Sequence, residues 1–364
     1  METVTENFSS NNMVNQGAII PSSSVCKYRE YVNSMRWNKH NKELLNQAET
    51  TMLSVVKVPF DVKYVSIGDC VGTDDKIWTL SANVDSMNTP IVLIHGFAAA
   101  LALWLKNLDA LAKEHPVYGF DLPGFGKSSR PEFASEADEI ELQFCESIER
   151  WRKAMNISKM ILIGHSFGGF LSTSYAMRYD QHVEHLILAD PWGFVEKPDL
   201  SNRPYWQRVL IKVFGKMAPL SIVRAAGPYG EWLIQRARKD IMEKYVNVVE
   251  DPRVIATYIH QCNTDHPSGE HAFKRLLFGG PWARHPMGER MRENFPKDLP
   301  VTFLYGAKSW MDNRYGEIIK ESRPNSYTHI EHVSDAGHHV YADNAEEFNK
   351  FTLDACKILK SNLK

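Results

Sequence analysis

Residues 161–170 read Ile-Leu-Ile-Gly-His-Ser-Phe-Gly-Gly-Phe, a short apolar run entering Gly164-x-Ser166-x-Gly168. A serine in such a turn sits at a strained backbone angle, and a side chain two positions away on either flank would strike its neighbours. The pattern carries weight only when a strand precedes it and a helix follows. Both are predicted here. Lys159–Ile163 is apolar and β-branched, while Phe167–Tyr179 places small residues at Gly168, Gly169 and Ser172, where a helix packs closely on a sheet. Ser166 is the candidate nucleophile.

Working outward, Val62–Ile67, Lys76–Ala82 and Pro90–His95 read as strands, the last running into the turn Gly96-Phe97-Ala98. Val117–Asp121 is the next strand and Ala137–Met155 an amphipathic helix leading to the serine strand; His185–Ala189, Val301–Tyr305 and Tyr327–His332 follow as strands. Alternating strands and helices predict an α/β fold with a mostly parallel sheet. The stretch between Asp190 and Pro300, about 110 residues, far exceeds the usual two to six of a connection in such a sheet and reads as an inserted helical lid. The expected organisation is a peripheral N-terminal segment over 1–55, a first core part over 56–195, the lid over 196–297 and a second core part over 298–364.

Within the insertion, Trp206, Val209, Leu210, Val213, Phe214 and Met217 form one helical stripe. Pro198–Lys244 holds nine Lys or Arg against four Asp or Glu, in a chain whose net charge is −2. Core packing and a solvated face account for both features; an interfacial helix meeting an anionic lipid surface or a phosphate headgroup is the functional alternative. The overall charge offers no general attraction for nucleic acid. The five cysteines, Cys26, Cys70, Cys145, Cys262 and Cys356, are widely spaced with no C-x-x-C pair, which argues for a reducing compartment and against a disulfide framework or zinc site. The first 25 residues lack a basic start and an apolar core, and no run of about 18 apolar residues could cross a bilayer. A cytoplasmic location with peripheral membrane contact is expected.

A serine hydroxyl needs an imidazole to take its proton, and the imidazole needs a carboxylate to fix its tautomer. In the chain order serine, acid, histidine, the base falls after the last strand, at His338 of Asp335-Ala-Gly-His-His-Val-Tyr-Ala-Asp343. His339 beside it reads as structural. For the acid, the position three residues after Gly306 is Ser309, so the favoured carboxylate is Asp312 in the same loop, with Asp190, at the end of the preceding strand, as the alternative and helix capping as the competing role of Asp312. The backbone N–H groups of Phe97 and Phe167 are the candidate oxyanion donors. His95 and Asp121 read as structural, and no metal cluster is visible.

These residues resemble the α/β-hydrolase fold family, and more closely its α/β-hydrolase domain-containing 4/5 subfamily. The likeness runs from about Trp37 to the C-terminus and is carried by His95-Gly-Phe, Phe120-Asp-Leu-Pro-Gly-Phe-Gly-Lys-Ser-Ser-Arg-Pro131, Leu186-Ile-Leu-Ala-Asp-Pro-Trp-Gly-Phe194, Asn263 through Pro267-Ser-Gly-Glu270, Trp282-Ala-Arg, Ser309-Trp-Met-Asp312 and His338-His-Val-Tyr-Ala-Asp343. The resemblance places the acid in the Trp-x-Asp segment, supporting Asp312. One branch of the subfamily hydrolyses phospholipid and lysophospholipid acyl esters with an intact serine, which Ser166 matches. The other carries asparagine there and activates a triglyceride lipase at lipid droplets. That branch has a basic residue and a glycine where this chain has Lys308 and Gly337, and it anchors through a tryptophan-rich N-terminus, where this chain has only Trp37 with Tyr28 and Tyr31.

His338 to Asp343 also forms the H-x-x-x-x-D pattern associated with acylation of lysophosphatidic acid from acyl-CoA, against which a plain helix-start carboxylate at Asp343 is weighed. The sequence thus implies a serine esterase acting on glycerolipids or lysophospholipids. Acyl transfer is compatible with it, and a non-catalytic coactivator docking on a lipase through Lys308 and Gly337 is the alternative. No cofactor is expected, acyl-CoA entering only as co-substrate of a transfer reaction.

Overall fold

Strands that run through the middle of an α/β sheet are buried on both faces, which is why the apolar stretches here show no polar alternation. A computed structural model describes residues 40–199 and 220–361. Its eight described strands are β1 (Phe60–Gly68), β2 (Asp75–Ala82), β3 (Ile91–Ile94), β4 (Val117–Phe120), β5 (Met160–His165), β6 (Val183–Ala189), β7 (Val301–Gly306) and β8 (Thr328–Val333). All eight expected strands form, with ends shifted by one or two residues. They make one sheet in the order β1-β2-β4-β3-β5-β6-β7-β8, antiparallel where β2 meets β1 and β4 and parallel elsewhere. Every residue of β3, β4, β5 and β7 is buried.

Successive strand residues feed opposite faces. Val92, Ile94 and Leu162 join one apolar cluster, while Ile91, Leu93, Ile161 and Ile163 join the other. Helices α1 (Lys42–Leu53) and α2 (Leu105–Leu111) cover the second face; α3 (Ala137–Ala154) and α4 (Phe167–Arg178) cover the first. Helix α3 forms where expected: Ile140, Phe144, Ile148 and Trp151 line its buried side, Asp138 and Glu139 sit in its first turn, and Arg152 and Lys153 in its last. Those charges match the helix dipole at both ends. Deleting one buried chain of this kind, such as Ile163 to Ala, costs about 2–5 kcal/mol.

Between β6 and β7 the described residues form α5 (Ser221–Ala225), α6 (Gly230–Ala237), α7 (Lys239–Glu243), α8 (Arg253–Thr264), α9 (Ser268–Leu276) and α10 (Met287–Asn294). The chain ends with α11 (Arg314–Ser322), α12 (Val340–Asp343) and α13 (Ala345–Ser361). The stripe from Trp206 to Met217 lies outside the described residues, as do Cys26, Tyr28, Tyr31 and Trp37. Among the described residues of the basic stretch, Arg224 pairs with Glu270, Arg238 with Asp240 and Lys244 with Asp343. Arg130 bonds the carbonyls of Gly124, Gly126, Cys262 and His266, fastening the insertion to the turn after β4. Among the described residues, no helix is long and apolar enough to cross a membrane.

Candidate active site

Strand register brings the site together. Ile94 pairs with Gly164 across β3 and β5, and His165 pairs with Ala189 across β5 and β6. The turns that leave β3, β5 and β6 therefore emerge side by side at the carboxyl edge. Between β3 and β5 the strand order changes direction, the place where open α/β sheets bind ligands.

Ser166 has φ +52 and ψ −116 and caps α4. Its flanking glycines are steric necessities: a Cβ at Gly164 would lie 2.4 Å from the Gly168 carbonyl oxygen, and one at Gly168 would lie 2.5 Å from that of Ile94. The hydroxyl lies 2.9 Å from His338 Nε2, and His338 Nδ1 lies 2.6 Å from Asp190 Oδ2. With the Nδ1 proton donated to the carboxylate, Nε2 is left to accept from the serine. The His338 side chain is 16% exposed and Asp190 is wholly buried.

Asp190 stands where Asp312 was expected. Asp190 follows directly on the Ala189 that pairs with His165, so register sets it beside Ser166. Its Oδ1 accepts from the Gly306 N–H at 3.2 Å, and its Oδ2 accepts from the Ser309 hydroxyl at 2.5 Å. Ser309, the polar residue at the usual acid position after β7, thus serves the carboxylate from the neighbouring strand. Asp312 does not join them. Its oxygens take the Arg314 N–H at 3.0 Å and the Arg314 guanidinium, whose hydrogen bonds hold the carboxyl below its usual range. That is a helix-start role, since α11 begins at Arg314. The signal that could have located the acid is the pairing of a serine after β7 with an aspartate after β6.

Phe167 is the first residue of α4, so its N–H has no acceptor within the helix. Gly96 lies close against the nucleophile turn, a Cβ there falling 3.1 Å from Ser166 Cβ, which places the Phe97 turn alongside. The Phe97 ring stacks on Phe273 of α9 at 4.2 Å, and Phe167 and Trp192 meet the same ring at 4.8 and 4.9 Å. These rings form an apolar cluster beside the Phe97 and Ser166 turns, one of them contributed from between β6 and β7.

Three other histidines stand near Ser166, engaged with backbone groups or packed rings. His95 Nε2 accepts from the Leu122 N–H at 2.9 Å while Nδ1 donates to the Gly96 carbonyl, and burial lowers its pKa to about 4. His165 Nε2 donates to the His338 carbonyl at 2.8 Å, and burial pushes it far below the imidazole range. His339, lowered in the same way by burial, packs its ring against His165 and Tyr341. Asp121 accepts from the Leu101 and Lys127 N–H groups and shapes the turn after β4.

Asp343 bonds the Gly337 N–H at 3.0 Å through one oxygen and Lys244 through the other; neither oxygen bonds the His338 ring. Lys308 is exposed and ion-paired with Asp335 at 2.7 Å, and its N–H bonds the Ala336 carbonyl, so Lys308 and Gly337 lie on adjoining loops behind the histidine. Trp310, to which the sequence reading of Ser309-Trp-Met-Asp312 gave no role, is 69% exposed with its ring 5.2 Å from that of His338. Among the described residues, no group of three metal-ligating side chains converges.

A parallel sheet with a strained serine turn, a histidine after the last strand and a buried carboxylate between them defines a class, and comparison agrees: residues 89–345 match the α/β hydrolase fold, and the chain belongs to that family. Its relatives include members of the 4/5 subfamily. The human protein named 1-acylglycerol-3-phosphate O-acyltransferase ABHD5 is 44% identical over 317 residues, 86% of this chain and 89% of that one. The mouse (Lyso)-N-acylphosphatidylethanolamine lipase is 41% identical over 317 residues, 86% and 91% of the two chains. Among solved structures, a bacterial membrane phospholipase A superposes with a TM-score of 0.63 at 20% identity, covering 93% of this chain and 97% of that one, a likeness of fold.

Proposed function

We propose that this chain is a serine acyl-ester hydrolase acting on glycerolipids and lysophospholipids. The observation that carries the reading is the unbroken relay from Ser166 through His338 to Asp190. Ser166 Oγ attacks the ester carbonyl as His338 Nε2 takes its proton; Asp190 holds the imidazolium, and the N–H groups of Phe97 and Phe167 receive the oxyanion. His338 then gives the proton to the departing alcohol, leaving an acyl group on Ser166. Water, or the hydroxyl of a lysophospholipid, surrenders its proton to His338 as it attacks the acyl carbonyl, and the imidazolium returns a proton to Ser166 Oγ as the bond to the serine breaks. Hydrolysis and transfer thus share one intermediate, with an acyl-CoA thioester serving as donor in the second.

Lipid as substrate is supported by the apolar cluster of Phe97, Phe167, Trp192 and Phe273 beside the serine turn and by the names of the relatives, one a lipase and one an acyltransferase. In this reading the insertion serves as a lid, a role supported by the stacking of Phe273 from α9 on Phe97. Contact with droplets or intracellular membranes is peripheral, on the cytoplasmic side. The test is fatty-acid release from lysophospholipid in mixed micelles: wild type releases it and Ser166→Ala does not. Equal release by both would refute the reading.

A second reading rests on the exposed Lys308–Asp335 pair beside the Gly337 loop: a surface that docks on a triglyceride lipase as coactivator. Lipase activation that survives Ser166→Ala and is lost with Lys308→Ala would support it.

A further inference from the structure

Three separate pieces of chain meet behind the histidine. Lys106 of α2 donates through Nζ to the carbonyls of Ala342, at 2.5 Å, and Lys244, at 3.1 Å. Lys244, just past α7 in the insertion, ion-pairs with Asp343 at the end of α12. Asp343 in turn accepts the N–H of Gly337, the residue before His338. The side chains of Lys244 and Asp343 are only 12% and 14% exposed, and the neighbouring Tyr245 donates its hydroxyl to the Leu103 carbonyl at 2.8 Å, so the insertion is fixed at this point.

A mostly buried carboxylate with an ammonium on one oxygen and an amide on the other depends on both partners. Removing the Lys244 cation strips Asp343 of its bonded partner and leaves only the attraction of Lys106, which does not bond it, so the carboxylate must turn outward or alter its hold on the amide. Either response is felt at Gly337 and so at the imidazole.

We propose that Lys244 and Asp343 form a joint through which the insertion positions the general base, and that Asp343 is a positioning residue with no part in acyl-transfer chemistry. The joint answers what the aspartate of the H-x-x-x-x-D pattern does. It also couples the state of the insertion to reactivity at Ser166, because a shift of the segment around Lys244 loosens the loop that carries His338. Base misplacement is costly: about 1 Å can cost about a hundredfold in rate.

The proposal rests on the serine-hydrolase reading, and the experiment separates the two. The rate at which a small fluorophosphonate labels Ser166 is measured on the full chain for wild type, Lys244→Met, Lys244→Arg, Asp343→Asn and the Lys244→Met/Asp343→Asn pair, with melting temperature in parallel. Labelling has no acyl acceptor, so a residue that serves only acyl transfer leaves it unchanged. The joint predicts about a tenfold slowing for Lys244→Met and for Asp343→Asn alike. The double variant falls no further, since both changes break one link, and Lys244→Arg recovers most of the rate. Normal labelling in Asp343→Asn or Lys244→Met, or a lowered melting temperature with the rate intact, overturns the joint. Absence of labelling in the folded wild type would instead overturn the serine-hydrolase reading and the joint with it.

Discussion

Replacing Asp190 by Asn should nearly abolish turnover, and the structure says why. The Gly306 N–H donates to Oδ1, which favours an amide placed with its oxygen there and its NH2 in the position of Oδ2, facing His338 Nδ1. An N–H aimed at Nδ1 requires that nitrogen to be bare, which moves the ring proton to Nε2. The histidine then donates to Ser166 instead of accepting from it, and the serine has no base. A relay with its tautomer inverted in this way loses about 10⁴ in kcat, or about 5 kcal/mol of transition-state stabilisation. Asp312→Asn is the matched control. It weakens an exposed pair with Arg314, and an asparagine there still accepts the Arg314 N–H at the start of α11. Steady-state hydrolysis of a short-chain ester, read with the melting temperature, decides the matter. The reasoning is refuted if Asp312→Asn loses as much activity as Asp190→Asn, or if Asp190→Asn keeps more than about a tenth of wild-type turnover.

Other consequences are open to simple measurements. Gly168→Ala would press a methyl within 2.6 Å of the His95 carbonyl as well as on Ile94, so it should lower stability by about 1–3 kcal/mol or more and erode activity; an unchanged melting temperature contradicts the packing described. Trp310→Ala, at an exposed site, should leave melting unchanged and slow turnover by about two- to fivefold, since an aromatic neighbour to an imidazolium is worth about 0.5–1 kcal/mol in such a place. Acid should destabilise the fold early. Burial lowers His95 and His260 to about 4 and His185 to about 3, so their contribution is complete above the unfolded value near 6.5 and is lost as pH falls toward those folded values. Each should surrender roughly 2 kcal/mol between about pH 6.5 and about pH 5, and a melting temperature flat over that interval would contradict the assignment.

The eight strands were legible because their apolar runs are short, β-branched and bounded by turns, and Ser166 and His338 because each stands at a strand exit that sequence order marks. The acid was not. Choosing between Asp190 and Asp312 requires knowing which strand end lies in register beside Ser166, a tertiary fact that local sequence does not carry. The resemblance also pointed to the Trp-x-Asp segment, whose fixed part turned out to be Ser309, hydrogen-bonded to Asp190, with Trp310 beside the imidazole. The place of Trp310 beside the imidazole was not legible, because an exposed side chain leaves no periodic trace of its neighbours. Asp343 was weighed as chemistry or as a helix-start carboxylate; its partners, Gly337 and a lysine 99 residues away, appear only when the insertion is folded against the core.

The central claim is that Ser166 is activated by His338 and Asp190. Peptide mapping by mass spectrometry after fluorophosphonate treatment in detergent tests it most directly. The account predicts one adduct, on the peptide holding Ser166, which is lost in Ser166→Ala, strongly reduced in Asp190→Asn and kept in Asp312→Asn. A folded wild-type protein that carries no adduct there, or one whose adduct depends on Asp312 and not on Asp190, would contradict it.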